Sequence, residues 1–75
     1  MKVLLESTSK LVEINGITCR VWEGTTERGI AVHAFVVRVG VDRDADAAEF
    51  ERDLRETRAP SAEVGAIPTR MLIDE

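Results

Sequence analysis

Arg20, Trp22, His33 and Phe35 carry the groups in this chain best suited to holding another molecule. Aromatic faces stack on a planar ring, and a guanidinium grips a phosphate or carboxylate or lies flat on a π-face. Arg38 adds a further anion contact. The same residue types are enriched where subunits meet, so the cluster also reads as a contact between copies. Both readings hold together if a ligand sits between subunits.

The other reactive side chains argue against catalysis. His33, the one histidine, has neither an orienting group nor a nucleophile at a recognisable spacing; Glu23 and several serines are the nearest offers. It reads as an interfacial or buried histidine satisfied by one hydrogen bond. Cys19 is the sole cysteine, which rules out an internal disulfide. Among Val, Ile and Ala it behaves as an inert small hydrophobe. A zinc site of His/Cys type would need ligands from other chains. Asp42-Arg43-Asp44-Ala45-Asp46 opens like a calcium loop, but Ala47 stands where the turn needs glycine and Asp53 where a bidentate glutamate is required. Gly24 and Gly29 are spaced like the glycines of a phosphate loop, yet no Lys-Ser/Thr pair follows and a strand comes next. The sequence therefore predicts no catalytic residue, no metal and no cofactor.

The elements that must position the cluster are legible from patterning. Asn15-Gly16 between alternating apolar runs is a strong hairpin signal. It predicts strands over about 2–14 (one long or two short, interrupted by Ser7-Thr8-Ser9) and 17–23, with Ile14 opposite Ile17, Val12 opposite Cys19 and Lys10 opposite Val21. One apolar surface then gathers Val12, Ile14, Ile17, Cys19 and Val21; the reverse carries Leu11, Glu13, Thr18, Arg20 and Trp22. A third strand is expected over 30–41, apolar on both sides. With an even-length loop before it, Val21 faces Val32 or Ala34. That arrangement puts His33, Phe35, Val37 and Val39 beside Arg20 and Trp22.

A helix is expected over about 45–58, capped by Asp46 with Glu49 reaching back. Asp44 and Asp46 suit its positive end, Arg55 and Arg58 its negative end, and Glu51 and Arg55 are spaced as a surface pair. Its stripe of Ala47, Phe50 and Leu54 is expected to cover the face made by Val12, Ile14, Cys19, Val32 and Val36. Residues 59–66 read as loop, and 69–73 as a short final strand. The fold class is α+β: an antiparallel meander of three to four strands with one helix packed on one face, in a single domain over 1–75.

Seventy-five residues form a small core, and oligomerisation is the stabilising route left to a chain without disulfide or metal. A sheet that is apolar on both sides, with one helix to cover it, predicts a homo-oligomer, a dimer or higher. The net charge of −4 argues against non-specific nucleic-acid binding and against anionic membranes. No apolar run approaches the roughly 20 residues needed to span a bilayer. The start is too short in apolar residues for a signal peptide, so a cytoplasmic protein is expected.

Asn15-Gly16 through Arg20-Val21-Trp22-Glu23-Gly24, then Gly29-Ile30 and Phe35 to Val39, with the tail Ala59-Pro60-Ser61-Ala62-Glu63 through Ala66-Ile67-Pro68, resembles small orphan proteins of phages and prophages. The resemblance spans most of the chain and contains no motif of assigned chemistry, so no functional residue comes with it. What it implies is context: short phage proteins often act by binding host molecules, including components or signals of antiviral defence. The function expected is thus a non-catalytic homo-oligomeric binding protein, an anti-defence factor in the host cytoplasm. It would sequester or block a host molecule such as a nucleotide-like signal, through Arg20, Trp22, His33, Phe35 and Arg38. The alternatives are an inhibitor that binds a host protein and a purely structural oligomerisation module.

Overall fold

Asn15 and Gly16 both adopt positive φ, 51° and 85°, the backbone of a two-residue type I′ turn. In this computed structural model, which describes residues 1–74, the turn joins β1 (Val3–Ile14) to β2 (Ile17–Thr26). Ile14 pairs with Ile17 and Val12 with Cys19, the register such a turn demands. The ladder breaks at the polar interruption: Leu11 faces Arg20, but the next pair is Ser7 with Trp22. Thr8, Ser9 and Lys10 therefore stand against Val21 alone, as a bulge.

The bulge is held by its own polar groups. The buried Thr8 hydroxyl donates to the Val21 carbonyl at 2.6 Å and accepts from the Lys10 amide at 3.2 Å. Arg20 donates to the Thr8 carbonyl at 2.8 Å. The Ser-Thr-Ser interruption is thus not a break between two strands. It adds residues to one strand without exchanging its faces.

The second reversal overturns the expected facing. Thr26 donates to the Ile30 carbonyl at 2.9 Å and Gly29 to the Thr26 carbonyl at 3.0 Å, with Gly29 at φ 84°. This is a three-residue loop, Glu27-Arg28-Gly29, ending in a left-handed glycine. Its odd length sets β3 (Ala31–Val36) so that Val21 faces Phe35 and Glu23 faces His33, while Trp22 faces Ala34 and Arg20 faces Val36. His33 and Phe35 consequently share the Val21 side, not the Trp22 side. The strand also stops at Val36, short of the expected 41.

The rest of the chain departs from a simple meander. Helix α1 is shorter than expected, Ala47–Arg55, with the Asp46 carboxylate accepting from the Glu49 amide at 3.0 Å. A second helix, α2 (Ala62–Gly65), lies in the stretch read as loop. The final strand β4 (Arg70–Met71) pairs parallel to β1, giving a four-stranded mixed sheet in the order β3-β2-β1-β4. The chain reaches β1's free edge twice. The Arg58 amide and carbonyl bond Ser7 and Ser9, and the Thr69 and Met71 carbonyls accept from Glu13 and Asn15.

The core lies on the Val21 side. Val12, Val21 and Val64 are buried there, with Ile14, Phe35, Ile67 and Met71 packed against them. The covering residues come from α2 and the segment after it. No residue of α1 is buried, so the expectation that the longer helix covers Val12, Ile14 and Cys19 is wrong. Its apolar stripe is too narrow, while Ser61 starts a short helix that delivers Val64 to the sheet.

Candidate functional site

Arg20 and Trp22 point to the side of the sheet that the core does not use. There they line an open cleft of about 620 Å³ together with Val36, Val37, Arg38, Val39 and, from α1, Glu51, Leu54 and Arg55. The alternation of β2 sets Arg20 and Trp22 on this side, and the early end of β3 lets the chain turn so that Arg38 reaches the rim. Trp22 is half-buried, so part of its ring is packed and part faces the cleft.

The electrostatics of the cleft oppose those of the chain. The molecule carries −4, yet this cleft holds three guanidiniums against the single carboxylate of Glu51. Among the described residues the ion pairs are Arg58 with Glu6, Arg58 with Glu23 and Arg70 with Glu13. The Glu51/Arg55 spacing therefore yields no close pair, and Arg38 and Arg55 meet no carboxylate of a described residue. Arg20 is partly committed through its bond to the Thr8 carbonyl. An anion bearing a flat ring could take the guanidinium donors and rest on the indole.

The other two expected site residues lie elsewhere. Phe35 packs against the core, and His33 meets its ring edge-on at a centroid distance of 5.5 Å. His33 is exposed and lines a second depression, of about 750 Å³, with Glu6, Glu23, Arg58 and Ser61. The four-residue cluster is thus split between the two sides of the sheet; Arg20, Trp22 and Arg38 remain together. Leu54 and Arg55 were missed as site residues. The sequence shows them only as helix stripe and helix-end charge, and nothing local says which side of the sheet α1 will border.

The second depression is built around a carboxylate already in use. Glu23, 6% exposed, accepts from the Ser61 amide at 2.9 Å, the Ser61 hydroxyl at 2.8 Å and Arg58 at 2.8 Å. Burial opposes its ionisation, but the Ser61 bonds and the Arg58 guanidinium outweigh it and hold the carboxyl below the usual glutamate range. Glu6 stands directly across the strand pair from Glu23, a repulsive placement that Arg58 relieves by reaching Glu6 at 3.4 Å as well. Ser61 also caps α2, accepting from the Val64 amide at 3.2 Å. The arrangement is a clip that fastens the C-terminal segment to the sheet.

Among the described residues, no three His, Cys, Asp or Glu side chains come together as a metal site, and no helix is long and apolar enough to cross a membrane. Comparison with protein-family models, with curated proteins and with solved structures finds no match for the chain.

Proposed function

We propose that the chain is a non-catalytic, homo-oligomeric binding protein that holds a small anionic, ring-bearing molecule of the nucleotide type in the cleft beside Trp22. One observation supports this most: Arg20, Arg38 and Arg55 border a single half-apolar cleft in an otherwise acidic molecule. Arg20 both buttresses the bulge and faces the ligand, Trp22 stacks on its ring, and Arg38 and Arg55 take its charge. In the phage context that the sequence resemblance implies, the ligand is a host nucleotide signal and the activity is its sequestration.

Trp22 is the only tryptophan, so its emission reports on this cleft directly. Titration with ADP and with a cyclic dinucleotide is expected to quench it and to raise Tm, adenosine and inorganic phosphate being much weaker. Arg38→Ala and Arg55→Ala should each weaken binding by about 10- to 100-fold, the worth of a charge-assisted hydrogen bond. Trp22 emission unmoved by every nucleotide, together with a stable complex with a host protein, would replace this reading with protein inhibition.

A further inference from the structure

The outer edge of β3 carries an uncommitted row of backbone hydrogen-bonding groups. β3 is the last strand on its side of the sheet and pairs with β2 alone, through a ladder without a bulge. Residues 30–37 contain no Lys, Arg, Asp, Glu or Pro. Edge strands of monomers are ordinarily guarded by charge, proline, a bulge or a covering loop.

We infer that this edge pairs with the β3 edge of a second copy, antiparallel about a two-fold axis at His33, so that two sheets become one. The inference rests on reading the chain as a homo-oligomer and says where the copies meet. The Ile30 carbonyl accepts from Thr26 on β2, so by antiparallel alternation the even residues of β3 bond inward. The N–H and C=O groups of Ala31, His33 and Phe35 therefore point outward. Centred on His33, these groups match themselves: Ala31 meets the partner's Phe35, and His33 exchanges both of its bonds with the partner's His33.

The side chains agree with this register. Ile30, 62% exposed, comes opposite the partner's Val36, and Val32 opposite the partner's Ala34. The need for a partner is visible in the core, where Val12, Cys19, Val21 and Val64 are the only buried apolar residues among those described. A two-fold axis perpendicular to the sheet keeps both Trp22 sides on one face. The partner's Ile30 then borders the open end of the cleft at Val36 and Val37, so each copy helps enclose the other's site.

Sedimentation equilibrium of the full chain, with hydrogen exchange at low and high concentration, tests this. A dimer is expected, with Ala31, His33 and Phe35 amides protected only at high concentration. His33→Pro removes both central bonds yet costs no bond to β2, and should weaken the dimer about 30-fold. Ile30→Lys, at an exposed position, should weaken it too and decides the matter if the proline variant fails to fold. A wild-type chain that stays monomeric at high concentration overturns the homo-oligomer reading itself. A dimer that forms equally well in the folded variants, with those amides unprotected, overturns the β3 edge alone.

Discussion

The two sides of the sheet are built on different principles. On the Val21 side, small aliphatic residues close against Val64, and a buried carboxylate with three donors bolts the covering segment down. On the Trp22 side, α1 stands over the sheet without burying a residue, and the cleft between them is lined by guanidiniums. The first side has spent its polar groups on one another, whereas the second keeps them available. A chain this short closes one side and leaves the other open. The clip also explains why Glu23 and Ser61 should not be read as a catalytic pair: both Glu23 oxygens are satisfied, and Ser61 is a helix cap.

Removing the core contact should produce the largest effect on that contrast. Val64→Ala truncates the one side chain that α2 buries, and should cost about 2 kcal/mol and lower Tm by roughly 10 °C in thermal unfolding. Glu23→Gln should come next. It keeps the shape and ends the repulsion with Glu6, but gives up the charge that binds Arg58 at 2.8 Å and leaves that guanidinium only the longer contact to Glu6. Because the folded carboxyl titrates lower than the unfolded one, its stabilisation is complete above the ordinary glutamate range and is lost as pH falls through the folded value. Tm measured from about pH 7 down to about pH 3 should therefore show the variant below wild type at neutral pH, with the gap closing in acid. Leu54→Ala on the other side should change stability by less than about 0.5 kcal/mol, since Leu54 is already 39% exposed. A Leu54 variant as damaging as the Val64 variant would show that α1 is packed as firmly as α2, and the contrast between the sides would fail.

Much of the β1–β2 hairpin was written in local sequence. Asn15-Gly16 demands its turn, the turn demands the register, and the register puts Val12, Cys19 and Val21 on one side and Arg20 and Trp22 on the other. The helix start at Asp46 and the α+β class follow from similarly short-range signals. The facing of β3 was nearly legible as well: Gly29 marks the left-handed end of a three-residue loop, and the parity of that loop alone decides whether His33 joins Trp22 or Val21.

Tertiary structure alone decided the rest, because the partners are distant and the local patterns indifferent to them. Glu23 meets Ser61 across 38 residues, and no spacing rule links a strand carboxylate to a helix cap so far away. Thr8 and Arg58 come together only because the chain crosses the free edge of β1 between its two helices, which sends α1 to the Trp22 side and α2 to the core. That crossing gathers Arg55 with Arg20 and Arg38. Periodicity states which residues of an element share a face, but which face meets which neighbour is a property of the closed fold, where burial and hydrogen bonding are satisfied for the whole chain at once.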